Sequence, residues 1–352
     1  MNLDKRWFSG IAVVLFCAGA VVLAAVSRPA AAFAHDDDEP LGPFGPWSEP
    51  VNLGPAVNSP YNDNSPAISK DGLSLYITSS PLPSPPGSRP GGRGGADIWV
   101  SQRASIDAPW GEPVDLGPNI NSAGADGVPS LSTDGHRLYF HSTGRGGCGA
   151  ADLFVSRRQD KRDDFGWEPP ENLGCVVNSP FADNGPTIFE DDATGITTLY
   201  FNSLRPGGLG DVDIYASTLQ ADGTFGSGVN VSELNSPFAD DRVAIRRDGL
   251  EIFVSTNRPG GVGSQDIWVA TRATTLDPWS PPVPLGPVVN SPYFDGGPAL
   301  SFDGTELYFF SERPGGFGGR DLYVSTRARL RGPDVAEHAE AADRRRERNE
   351  RP

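Results

Sequence analysis

The 352-residue chain carries 45 acidic against 29 basic residues, a formal net charge of −16. A surface of that sign repels polyanions, which excludes nucleic acid and anionic lipid as partners. With Gly 43 and Pro 34, turn residues are dense enough to suit many short strands better than helices.

In chain order, Lys5 and Arg6 precede an apolar run from Phe8 to Val26, and Ala32-Phe33-Ala34 supplies a small-x-small cleavage site before His35. Residues 1–34 therefore read as a signal peptide. The alternative is an inner-membrane anchor at residues 8–26, a run long enough to span a bilayer. On either reading the folded part is exported, as a periplasmic or secreted protein, and cleavage leaves no stable membrane insertion. Cleavage removes three basic residues and one acidic one, which takes the net charge to −18. Residues 35–46 form an acidic linker.

From residue 47 to 330 the text repeats. The last Asp of each copy falls at Asp97, Asp152, Asp213, Asp266 and Asp321, a period of 53 to 61 residues. A period of that size marks a solenoid, propeller or array. Each copy holds three short apolar runs, such as Pro298 to Ser301, Leu307 to Ser311 and Leu322 to Ser325. An Asp-Gly pair such as Asp303-Gly304 separates the first two, a strong hairpin signal because both residues accept positive φ. A longer Gly-rich loop joins the second and third. No segment carries a helical apolar period.

A fourth piece, W-S-E-P-V-N-L-G from Trp47, recurs from Trp110, Trp167, Phe225 and Trp279. Its first copy precedes every three-strand group, and the last group has none after it. A ring resolves the mismatch, because the N-terminal strand then completes the C-terminal blade and no edge is orphaned. The predicted fold is all-β: a five-bladed β-propeller of four-stranded antiparallel blades over residues 47–330. The charged segment 331–352 reads as a solvated, disordered tail.

The repeat text P-x-x-S-x-D-G-x-x-L-Y-F-x-S stands at Pro66 to Ser79, Pro129 to Ser142 and Pro298 to Ser311, in full or in part. D-I-W-V follows at Asp97 to Val100 and Asp266 to Val269. These units resemble the TolB-type, WD40-like propeller repeats of exported bacterial proteins. The resemblance implies the fold and leaves function open, since propellers host many activities.

In an up-down meander, the loop leading into each first strand shares a face with the loop joining the second and third strands. The lead-in loops N-S-x-x-x-D end at Asp63, Asp126, Asp183, Asp240 and Asp295, at the channel mouth. Those carboxylates either bind a cation, a basic group or sugar hydroxyls, or fix their own turns as Asx residues do. Tyr61, Phe181, Phe238 and Tyr293 are the aromatic residues of the same loops, suited to stacking on sugars, to anchoring a partner, or to wedging adjacent blades. Arg89, Arg205, Arg258 and Arg313 open R-P-G-G-x-G-x-x-D, ending at Asp97, Asp213, Asp266 and Asp321. Asp152 is the equivalent in the second copy. That loop leads into a strand and not into a helix N-terminus, so it fails as a phosphate cradle. A structural Arg-to-Asp pair across the hairpin base is expected instead. Cys148 and Cys175 both depart from the repeat in an exported chain, which predicts a disulfide.

No H-E-x-x-H, metal-spaced Cys pair or G-x-S-x-G elbow occurs, and no cofactor motif is present. His141 replaces Thr78, Asn202, Ser255 and Phe310 of the other copies on a strand. Five near-identical Asp residues lack the asymmetry that two-carboxylate glycoside hydrolysis needs. The expectation is a non-catalytic binding or scaffold module for a protein partner in the cell envelope. The alternative is a carbohydrate-binding or glycoside-cleaving propeller.

Overall fold

The computed structural model describes residues 42–83 and 86–330. The signal peptide or anchor at 1–34, most of the acidic linker and the tail after 330 lie outside these residues. Among the described residues there is no helix, and none therefore that could cross a membrane.

Five four-stranded antiparallel sheets follow one another in the chain. Their innermost strands are Asn62–Ile68, Asp126–Leu131, Asp183–Glu190, Asp240–Ile245 and Asp295–Leu300. The second strands carry apolar triplets: Leu75-Tyr76-Ile77, Leu138-Tyr139-Phe140, Leu199-Tyr200-Phe201, Ile252-Phe253-Val254 and Leu307-Tyr308-Phe309, all buried. An unbroken apolar run means a strand buried on both faces, because successive side chains point to opposite sides. Tyr76 thus packs with Leu138 and Phe140 of the second blade, while Leu75 and Ile77 pack with Tyr308 and Phe310 of the fifth. Five such clusters, each shared by two neighbouring blades, close the ring.

The closing strand is Val51–Asn52, which pairs antiparallel with Asp321–Thr326 of the fifth blade (Val51 opposite Val324, Asn52 opposite Tyr323). The contact extends further, since Phe44 bridges to Arg329, and Ser48 N donates to Thr326 O at 2.8 Å. The outer strands are only two residues long, and short edges resist pairing with other chains. The Asp-Gly turns differ from expectation in one respect: only the glycine is left-handed, as at Gly72 (φ 72°) and Gly304 (φ 72°). The Asp instead uses its side chain, so that Asp71 Oδ1 accepts from Leu73 N at 3.1 Å and Ser69 Oγ at 2.7 Å.

Every innermost strand has a register shift directly after its lead-in Asp, between Asn64 and Ala67 in the first blade and at the equivalent points in the others. A bulge re-aims the side chains beside it. The five bulges encircle the channel mouth.

Candidate functional site

The five lead-in Asp residues are fully buried, at 0% exposure. In the first blade Asp63 Oδ2 accepts from Ser59 N at 2.5 Å and Ser59 Oγ at 2.6 Å, and the same serine bonds recur at Asp126, Asp183, Asp240 and Asp295. The second oxygen takes the arginine of the Gly-rich loop: Arg89 to Asp63 at 2.9 Å, Arg205 to Asp183 at 2.6 Å, Arg313 to Asp295 at 2.7 Å, and Arg258 to Asp240. In the second blade, where Gly144-Arg145 replaces Arg-Pro, Arg145 stands 3.6 Å from Asp126 and makes no hydrogen bond to it. Four of the five carboxylates are thus spent inside their own turns, while Asp126 Oδ1 is buried without a hydrogen-bond partner.

The expected pairing of each arginine with the Asp eight positions on is corrected accordingly. Asp97, Asp152, Asp266 and Asp321 accept backbone N–H groups of their own loops, for example Arg93 N to Asp97 at 2.7 Å and Phe317 N to Asp321 at 2.6 Å. Asp213 does the same more loosely, from Gly210 N at 3.3 Å. Burial pushes the carboxyls of Asp97, Asp213, Asp266 and Asp321 above the usual range, opposed by those N–H donors. The arginines also lie over the third-strand aromatics, Arg89 above Trp99 at 5.4 Å and Arg205 above Tyr215 at 4.8 Å.

The Asn of each N-S-x-x-x-D loop has a role that motif reading missed. Asn58, Asn121, Asn178, Asn235 and Asn290 each exchange two amide bonds with the backbone of a third strand, as Asn121 does with Ile98 at 2.8 Å each way. The presence of this Asn in all five copies was the available signal. Phe181, Phe238 and Tyr293 are exposed on the rim, and Tyr61 is half-buried. Cys148 is bonded to Cys175, which ties the second blade's Gly-rich loop to the segment just after its outer strand.

A cavity of about 340 Å³ opens inside this rim. It is lined by the residues at and after the bulges, among them Asn64, Ser65, Val128, Asn184, Asp241 and Arg242, and by His141, Asn202 and Phe310 from second strands. These are the positions at which the repeats differ, so the ring is asymmetric where it is hollow. Ser65 (φ 52°) and Val128 (φ 56°) are left-handed, and they are the only non-glycine residues so placed among the described residues. A β-branched residue pays most for that conformation, and such strain concentrates at functional sites. Both line the cavity. Thr78 Oγ1 accepts from Val128 N at 2.9 Å, which ties the first blade to the second.

Burial pushes the His141 imidazole down to about 4, with Asp126 opposing and Arg242 reinforcing the shift, so the ring is neutral near pH 7. Burial raises the Asp241 carboxyl, against the N–H and charge of Arg242 and the charge of Arg320. Phe294 and Phe310 stack at 5.3 Å between centroids on one wall, with Arg320 over both rings. No group of three or more His, Cys, Asp or Glu among the described residues is placed to hold a metal ion.

The sequence matches no protein-family model and no curated protein. Solved structures do resemble it. The catalytic domain of the Coprinopsis cinerea GH62 α-L-arabinofuranosidase aligns with TM-score 0.52 at 13% identity, over 81% of this chain and 98% of that one. The α-L-arabinofuranosidase from Podospora anserina, crystallised with cellotriose, aligns with TM-score 0.51 at 13% identity, over 82% and 97% of the two chains. That from Lactobacillus brevis gives 0.51 at 15%, over 78% and 92%. The likeness is one of fold. It supports a five-bladed propeller without singling out the TolB-type family. It does not bear out the expected non-catalytic scaffold for a protein partner, since these neighbours are glycoside hydrolases.

Proposed function

We propose that this is an exported propeller that recognises a saccharide in the central cavity of its mouth face. The observation that carries the reading is the cavity itself: an asymmetric, polar hollow at the bulges of five otherwise repeated blades, lined by the two strained non-glycine residues Ser65 and Val128. Its amides (Asn64, Asn184, Asn202), imidazole and carboxyl offer both donors and acceptors beside an aromatic wall, which suits a ligand dense in hydroxyl groups. The Cys148–Cys175 bond supports export, since such bonds persist in oxidising compartments.

Asp241 is the ionisable acid of the site. A carboxyl raised by burial keeps its proton at a pH where ordinary ones have lost it, as a general acid requires. Two-carboxylate hydrolysis also needs a base or nucleophile, and Asp241 is the single carboxyl among the residues lining the cavity. Recognition is therefore the part of the reading that the lining supports.

The test is titration calorimetry with neutral and acidic oligosaccharides on the intact protein, with release of reducing sugar followed in the same samples. Saturable binding weakened at least about tenfold by Asn184→Ala or Asn202→Ala is expected, the scale of losing one good hydrogen bond in a buried site. Binding unaffected by both substitutions would place any saccharide elsewhere and sink the assignment.

A further inference from the structure

One cavity group is not accounted for by a neutral sugar. Arg242 occupies the bulge position of the fourth blade, where the other blades have Ser65, Val128, Gly185 and Gly297. Its side chain borders both the mouth cavity and a second cavity lined by Pro66 and Pro129, and Nη2 donates to the carbonyls of Pro66 in the first blade at 2.8 Å and Pro129 in the second at 3.2 Å. The residue is 6% exposed, and Nε and Nη1 have no hydrogen-bond partner among the described residues. No carboxylate there forms an ion pair with it. A guanidinium does not shed its proton in a protein, so burial leaves a full cation with unspent donors.

The second arginine of the lining is differently placed. Arg320 donates to Glu312 at 2.9 Å and lies over Phe294 and Phe310, so it stiffens the wall. With Arg320 paired to Glu312, Arg242 is the arginine of the lining that has no ion pair, in a chain of net charge −16. The buried cation calls for a negative partner with several lone pairs, and a carboxylate supplies both.

We propose that the cavity takes a saccharide bearing a carboxylate, a uronic acid unit or an oligomer of one, with that carboxylate accepting from Arg242. This rests on the saccharide reading and names its ligand class. The amides and the aromatic wall hold the sugar ring, while Arg242 selects the acidic sugar over its neutral counterpart.

Calorimetry on the intact protein separates the two levels of inference. The probes are glucuronate, trigalacturonate, xylotriose, glucose and acetate, each at low and high salt. The acidic saccharides are expected to bind about tenfold or more tighter than the neutral ones, a preference that falls with salt and disappears in Arg242→Met. Equal binding of acidic and neutral saccharides overturns the carboxylate proposal and leaves the saccharide reading standing. Binding of none of the saccharides overturns both. Acetate binding as tightly as glucuronate also overturns the proposal, in favour of a small-anion site. Arg242 ties three blades together, so circular dichroism establishes that Arg242→Met is folded. If it is not, the salt dependence of the wild-type preference decides: a preference unchanged by salt overturns the proposal.

Discussion

The Ser–Asp–Arg unit repeated at the mouth shows how one buried carboxylate can organise two loops. In the third blade Asp183 receives Ser179 N, Ser179 Oγ, Ser203 Oγ and the Arg205 guanidinium, with no exposure to water. Removing one partner of a buried pair is costly because the other charge is left stranded. Asp183→Asn keeps an oxygen for the serine but loses the ionic bond, and should lower unfolding stability by about 3 kcal/mol. The second blade provides an internal control, since Arg145 stands off from Asp126 at 3.6 Å. Asp126→Asn should cost only about 1 kcal/mol, the scale of a single ordinary hydrogen bond. Urea unfolding of the two variants measures the difference, and equal losses would show that the arginine adds nothing. Reading the text alone, Arg and Asp of R-P-G-G-x-G-x-x-D look like partners because they are neighbours in sequence. The fold pairs that arginine with a carboxylate 18 to 26 residues upstream, a distance that the motif does not encode.

At the scale of elements, blades are joined by a backbone contact that only glycine permits. The Gly-rich loop of one blade lies against the lead-in loop of the next, so a Cβ at Gly210, Gly263 or Gly318 would stand 2.0, 1.9 or 1.9 Å from the carbonyl oxygen of Phe238, Tyr293 or Tyr61. Gly318 matters most, because it seals the seam between the fifth and first blades. Gly318→Ala is expected to cost about 3 kcal/mol, at the upper end for overpacking, since the clashing atom is backbone and cannot rotate away. Gly54→Ala is the comparison: its φ is 80° with nothing within 4 Å, so only backbone strain of about 1 kcal/mol applies. Denaturant unfolding gives the two values, and hydrogen exchange should show the Val51 and Asn52 amides opening first in Gly318→Ala. Protection there equal to wild type would contradict the seam. The ring and its closure were legible from sequence because apolar triplets, turns and the misplaced Trp47 strand are all local text. The cavity was not, because a bulge leaves no period of its own, and the residues it turns inward differ from blade to blade.

The whole molecule carries a large negative charge, yet its buried carboxyls respond to pH in opposite directions. Burial raises Asp97, Asp213, Asp266 and Asp321. A carboxyl with a folded value above its unfolded one binds its proton more tightly when folded, so stability grows as pH falls through the raised value towards about 4. Asp164 is the reverse case. Burial would push it up, but Ser74, Tyr76, Arg158 and Gln102 all donate to it, at 2.5, 2.5, 2.6 and 2.7 Å, and they hold its carboxyl below the usual range. Its stabilisation is present above about pH 4 and is lost as pH falls through the folded value. This network joins the first blade to the second, because Ser74, Tyr76 and Gln102 belong to one and Arg158 follows the third strand of the other. Melting temperature should therefore hold or rise on mild acidification and then drop below about pH 4. In Asp164→Asn the protein should be less stable at pH 7, with a shallower decline at acid pH, because the group whose protonation breaks the seam is gone. Melting curves from pH 7 to pH 3 read both slopes. An acid decline as steep in Asp164→Asn as in wild type would mean that other carboxylates, or the release of general charge repulsion, govern the acid limit.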